Sequence, residues 1–271
     1  MTLTRMMFVF GLFLCNASAA EDFVIGVVPQ FEAQRINNAW NPVLEELSRR
    51  TGNHFRLQGA ASIGEFEQAF ANGEYDFVYL NPWHAVIANE TQGYQPILND
   101  GMTKLRGVLV INKDSSVNEV ADLDGMEIAF PSPNALGASL LMRADLAQIF
   151  KIQIKPVYVQ THSSVYLNVA LGTMPAGGGV MGTFNELSDD VRNKIRILYE
   201  TREMNPHPVS VHPRVEQEHV NSFVKAFLEI STDPETEKLL SDIPMLKPAP
   251  TTLDAYLMLR DWGLREFYVN E

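Results

Sequence analysis

Apolar and polar positions along this chain fall into two alternating rhythms. Phe23-Val24-Ile25-Gly26-Val27-Val28 is a short apolar run stopped by Pro29, which predicts a buried strand. Trp40, Val43, Leu44 and Leu47 then recur at helical spacing over 40–50, and Gly52 ends the pattern. Phe55-Arg56-Leu57 reads as the next strand. Over 63–72, Phe66, Ala69 and Phe70 line one helical face before Gly73, and 77–80 is again strand-like as it enters Asn81-Pro82. The middle repeats the scheme. Strands are predicted at 107–111, 127–130, 157–159, 177–181 and 195–199, with helices at 116–122, from Asn134 to about 150, and over 164–171. Beyond Pro206, Pro208 and Pro213 the clearest helix is 220–230, and the Pro-rich stretch 205–213 reads as a crossing between lobes. Such alternation predicts an α/β layer architecture with crossover connections, its core holding Trp40, Phe66, Phe70, Phe223 and Phe227.

Three junctions stand out because an apolar strand runs into polar groups that open a helix. They are 76–84 (Asp-Phe-Val-Tyr-Leu-Asn-Pro-Trp-His), 130–139 (Phe-Pro-Ser-Pro-Asn-Ala-Leu-Gly-Ala-Ser) and 161–167 (Thr-His-Ser-Ser-Val-Tyr-Leu). A helix start offers unpaired amides and the positive end of the helix dipole, so three of them suit a small oxyanion. The strand at Gly177-Gly178-Gly179 is lined by small residues, a place where another backbone or a ligand comes close.

Charge and the N-terminus narrow the setting. Arg5, the apolar run 6–14 and Ala17-Ser18-Ala19 read as a cleavable secretory signal over 1–20. That run is too short for a membrane span, which needs ~20 apolar residues. Leu14 precedes Cys15 where a lipobox wants a small residue, so Cys15 belongs to the signal and the mature chain is not expected to be a lipoprotein. Cys15 is the only cysteine, so the mature chain has no disulfide or thiolate metal site. The formal net charge is −12, with no basic stripe, which argues against a nucleic-acid partner. It also means an anion must be held by short-range hydrogen bonds. The spacings of Glu200, His207 and His212 match no standard zinc pattern, and these residues read as solvated loop positions. No phosphate-binding Gly-rich loop, nucleophile elbow or zinc helix is present, so no catalytic residue, metal or cofactor is assigned.

Several of these motifs occur together in one known family. Val27-Val28-Pro29-Gln30, Gly73-Glu74-Tyr75-Asp76-Phe77 leading to Asn81-Pro82, Asp122-Leu123-Asp124-Gly125, Pro133-Asn134 and His162-Ser163-Ser164 follow one another in order. In this the chain resembles the phosphonate-binding (PhnD-like) periplasmic substrate-binding proteins of ABC transporters, over essentially the whole mature chain. The resemblance implies an α/β, two-lobed type II "Venus flytrap" fold with a ligand cleft between lobes. Lobe 1 would comprise 21–106 plus 207–271, and lobe 2 would comprise 107–206. It also implies a periplasmic protein that captures a phosphonate, phosphite, phosphate or similar oxyanion, as a monomer, for an inner-membrane ABC permease.

The resemblance assigns the second-lobe anion contacts to Asn134, Ala135, Leu136, Gly137 and Ser139, and to His162, Ser163 and Ser164. In relatives the run after Pro-Asn is rich in Ser and Thr; here only Ser139 keeps a hydroxyl. From the first lobe Gln30, Tyr79, Asn81, Trp83 and His84 are the expected cleft residues. Tyr79 is placed to close over the head group and Trp83 to stack on an organic tail. On that reading Tyr79→Ala weakens binding and spares the fold. Two other classes share the fold: a ligand-sensing partner of a membrane histidine kinase or other receptor, and an enzyme using a cleft residue.

Overall fold

The computed structural model describes residues 20–269; the segment read as a signal lies, but for its last residue, outside them. Two separate sheets organise the chain. The first has six strands: β1 (Asp22–Val27), β2 (His54–Gln58), β3 (Phe77–Tyr79), β4 (Gln95–Asp100), β10 (Val209–Val211) and β11 (Pro248–Pro250), in the order β11-β4-β10-β3-β1-β2. The second has five: β5 (Gly107–Asn112), β6 (Glu127–Phe130), β7 (Lys155–Tyr158), β8 (Ala176–Val180) and β9 (Ile195–Glu200), in the order β7-β6-β8-β5-β9. Strand β1 is parallel to both β2 and β3, and β6 is parallel to both β7 and β8. The strands that border the chain's two crossings, β5, β9 and β10, pair antiparallel. The chain passes to the second sheet after β4 and returns after β9. Those two passing segments pair at Leu105 and Met204, whose amides and carbonyls bond reciprocally at 2.9 and 3.0 Å.

Helices supply the layers. Helix α1 (Ala33–Thr51) buries Trp40, Val43, Leu44 and Leu47 as its spacing predicts, and ends at Gly52 in the left-handed conformation. It starts seven residues earlier than the pattern indicates and tolerates Pro42 in its interior. Helix α2 (Ile63–Ala71) is capped by Ser62, which accepts from the Glu65 amide, a contact worth about 1 kcal/mol. Helix α3 (Pro82–Gln92) begins with Pro82 behind the Asn81 cap. In the second half α4 (Leu141–Gln148), α5 (His162–Ala170), α6 (Met181–Asn185) and α7 (Asp189–Arg192) surround the five-stranded sheet. Helix α8 (Gln217–Thr232) returns to the first core, with Phe223 stacked on Phe77 at 4.3 Å. The single turn α9 (Asp254–Leu257) opens the C-terminal segment.

Three departures from the sequence reading have physical causes. The stretch 116–122 forms only a 3₁₀ turn, Val120–Leu123, because Asn118 and Glu119 give their amides to the Asp122 carboxylate instead of to a longer helix. Strand β10 lies inside the Pro-rich stretch read as a crossing; it is only three residues long and sits between Pro208 and Pro213, too short for a period to show. The helix expected from Asn134 starts instead as a π turn, Leu136–Leu140, in which the Leu140 amide reaches back to Ala135. No described helix is long and apolar enough to cross a membrane.

Candidate functional site

The π turn is set against strands β5 and β8 by missing side chains. A Cβ on Gly178 would lie 2.0 Å from the Ala138 carbonyl oxygen and 2.6 Å from the Phe130 ring. One on Gly107 would lie 2.1 Å from the Gly137 carbonyl oxygen. The run of glycines in β8 is therefore where another backbone comes close, as the sequence indicates. Its consequence is that the first turn of the helix lies directly on β5 and β8.

Opposite that turn lies a cavity of about 20 Å³, enough for a water-sized occupant. From the first half of the chain Val28, Gln30, Ile63, Asn81 and Leu105 line it; Ala135 to Ala138, His162 and Val180 line it from the second half, and His207 from the returning segment. Each polar group is positioned by an element end. Gln30 follows β1, where strands of an α/β sheet deliver ligand-facing residues. Asn81 caps α3, accepting from the His84 amide at 2.8 Å, while its own Nδ2 donates to the Asn134 carbonyl at 3.2 Å. His162 is the first residue of α5, behind the Thr161 cap. At the π turn the opening amides have no carbonyl one turn back to bond.

The two histidines share an environment. His162 is buried, its Nδ1 has no hydrogen-bond partner, and desolvation lowers its pKa to about 4. His207 is buried between Pro206 and Pro208, stacked on Tyr79 at 5.5 Å, with Nε2 2.8 Å from Gln30 Nε2. Desolvation first, then electrostatic repulsion from the neighbouring His84 and His162 rings, pushes its pKa down to about 3. Reading His207 as a solvated loop residue is therefore corrected. Flanking prolines hide a buried contact that only the pairing of β10 reveals. His212 is half-buried beside Tyr94, and Glu200 is exposed and paired with Arg106.

Of the residues singled out in the sequence, Gln30, Asn81, Ala135, Leu136, Gly137 and His162 line the cavity. The others have different surroundings. Tyr79 stands behind His207, packed on Trp40 at 5.1 Å, and burial raises its hydroxyl pKa far above the ordinary range. Trp83 is fully buried in a cluster with Leu136, Leu140, Leu141, Tyr256 and Leu264. His84 is fully buried against Phe66 and Phe70, its Nε2 2.7 Å from Glu67 Oε1 though poorly aligned for a hydrogen bond. Asn134 is a knot between the two halves. It donates to Glu67 Oε2 at 3.0 Å and to the Val269 carbonyl at 2.7 Å, and accepts from the Val269 amide at 3.0 Å. Ser139 is buried and accepts from Arg143. Ser163 is exposed, and Ser164 is engaged with Thr161.

Two sheets, two passing segments and a cavity of helix starts between them define a two-lobed periplasmic binding protein of type II. Known proteins agree. The sequence profile of the family described as "ABC transporter, phosphonate, periplasmic substrate-binding protein" matches residues 25–256, and the chain belongs to that family. Its fold is similar to a binding protein component of an ABC phosphonate transporter from Pseudomonas aeruginosa, at 16% identity and TM-score 0.78, covering 92% of this chain and 88% of that one. It is similar also to PhnD1 from Prochlorococcus marinus in complex with methylphosphonate, at 14% identity and TM-score 0.81, covering 92% and 99%. A Xanthomonas citri protein bound to chloride ion matches at 14% identity and TM-score 0.78, covering 91% and 98%. The family binds and delivers substrates to a transporter; it is not a family of enzymes.

Proposed function

We propose that this protein captures a small phosphorus oxyanion, a phosphonate, phosphite or phosphate, in the periplasm and delivers it to an ABC permease of the inner membrane. The observation that carries this reading is the buried His162, whose Nδ1 is unpaired beside the opening amides of the π turn. Backbone amides, the Asn81 and Gln30 carboxamides and the imidazoles provide short-range donors, and charge-assisted hydrogen bonds to an oxyanion are the strong kind. A phosphorus oxyanion is larger than the one water this cavity holds, so the lobes stand further apart around it, and the replacement of the usual hydroxyls by Ala135 and Ala138 favours a ligand face that carries carbon or hydrogen.

On this reading 21–106 with 207–271 and 107–206 move as two lobes about the Leu105–Met204 pair. The ligand drives closure only through its greater affinity for the closed form. The N-terminal segment directs export and is removed, and the protein acts as a monomer. Calorimetric titration of the mature chain, unfolded and refolded to strip carried ligand, tests the proposal. The panel is phosphate, phosphite, methylphosphonate, aminoethylphosphonate, sulfate and an alkylsulfonate. One-to-one binding of a phosphorus oxyanion is expected; silence toward all of them would overturn the reading.

A further inference from the structure

We propose that the cavity takes its oxyanion together with one proton, held on the His162–His207 pair, so that capture of the ligand is also uptake of a proton. This rests on the oxyanion-binding reading above. Its ground is the inventory of charge around the cavity. The lining contains no Lys, Arg, Asp or Glu. The nearest ionic groups on each neighbouring element are committed elsewhere. On α2, Glu67 faces His84 and Asn134. On α4, the Arg143 guanidinium is turned to the Pro133 and Phe267 carbonyls and to Ser139. Arg106, next to Leu105, is paired with Glu200 and Glu203. Asp100, beyond Tyr79, accepts from Met102 and Thr103. An anion enclosed here meets neutral donors only, inside a protein of net charge −12.

Enclosing a charge away from water without a countercharge is strongly unfavourable. Two groups at the cavity can acquire one. Both imidazoles are neutral at pH 7, because burial holds them near 4 and 3. An opposite charge within hydrogen-bond reach favours the protonated form. An adjacent anion that raises the His162 pKa from about 4 to about 7 lets the ring hold a proton below neutral pH, a change at the upper end of the ~1–3 pH units that a nearby opposite charge produces. The local geometry accepts the proton without rearranging the lobes. Nδ1 of His162 has no partner to lose. Across the 2.8 Å contact to His207, Gln30 needs only to turn its amide so that the oxygen faces a newly formed Nε2–H. One proton suffices, since charge on His162 disfavours charge on His207.

The test is calorimetric titration of the stripped mature protein with methylphosphonate at pH 6, in buffers of different ionisation enthalpy. Uptake close to one proton per ligand is expected, and Kd should weaken about tenfold per pH unit as pH rises from about 5 to 7. In H162Q/H207Q the uptake should fall to near zero. In the parent at pH 6, the ring-proton NMR signals of His162 or His207 should move to the protonated position when ligand is added, which serves even if the variant fails to fold. Binding with no proton uptake would overturn the proposal while leaving the oxyanion reading intact, as would uptake unchanged in H162Q/H207Q. No binding of any panel oxyanion between pH 5 and 8 would overturn both.

Discussion

Acidification should destabilise this protein through the same two histidines, and the size of the effect follows from their burial. His162 and His207 are 3% and 7% exposed, and their folded pKa lies at about 4 and about 3. In the unfolded chain an imidazole titrates near 6.5. Both groups therefore have a folded pKa below the unfolded one. Stability is unaffected above about pH 6.5 and falls as pH drops toward the folded pKa, because the unfolded chain binds the protons and the folded one does not. At pH 5 each ring is about 1.5 pH units below its unfolded pKa and still neutral in the fold. Each then removes about 2 kcal/mol, or about 4 kcal/mol for the pair, relative to pH 7. Replacing both rings with glutamine, which keeps a polar group but cannot titrate, should abolish that share of the acid sensitivity. The assay is urea unfolding of the stripped parent and of H162Q/H207Q at pH 7 and pH 5, followed by tryptophan fluorescence. The parent should lose about 4 kcal/mol more than the variant between the two conditions. Equal losses would mean that the rings are hydrated and titrate normally, and the account of the cavity would fail with them.

Other perturbations probe the scaffold. Gly178→Ala places a methyl group against the Ala138 carbonyl and the Phe130 ring, and should cost about 2–3 kcal/mol, read as a lowered midpoint in thermal melts; an unchanged midpoint would show that the π turn is not pinned there. Asn134→Ala removes the side-chain bonds to Glu67 and Val269 and strands a buried carboxylate oxygen. A loss of about 2–3 kcal/mol, with faster hydrogen exchange in 264–268, is the expected outcome, and unaltered exchange would argue that the C-terminal segment is held by packing alone. Tyr79→Ala, which the sequence reading expects to spare the fold, should instead destabilise by about 3–5 kcal/mol because the ring is packed between Trp40 and His207; a melt like the parent's would count against that packing.

Much of this architecture is legible in the chain because strands and helices write their burial as a period. The apolar run before Pro29, the Trp40–Leu47 face and the Gly-lined strand each appear where the sequence puts them, since the residues that make the pattern are the ones that pack. Helix starts leave a local mark too, because a cap needs a short polar side chain at one position: Ser62, Asn81 and Thr161 each accept an amide of the first turn, although the sequence reading starts the last of these helices at Ser164. Elements that draw their reason from elsewhere are not legible. Strand β10 is three residues long and exists because β3 and β4 pair with it from either side. The π turn arises where glycines from two other strands let a backbone descend.

The sequence by itself determined that this is an α/β chain whose polar strand-to-helix junctions suit an oxyanion, because composition, caps and periodicity are local properties. Only the tertiary structure decided which junction residues meet. It withdrew Trp83 and His84 into packed interior, tied Asn134 to Glu67 and the C-terminal segment, and brought His207 beside Gln30 from 177 positions away. Those choices depend on the desolvation and pairing of groups far apart in the chain, and neither quantity has a value until the two halves of the molecule close on one another.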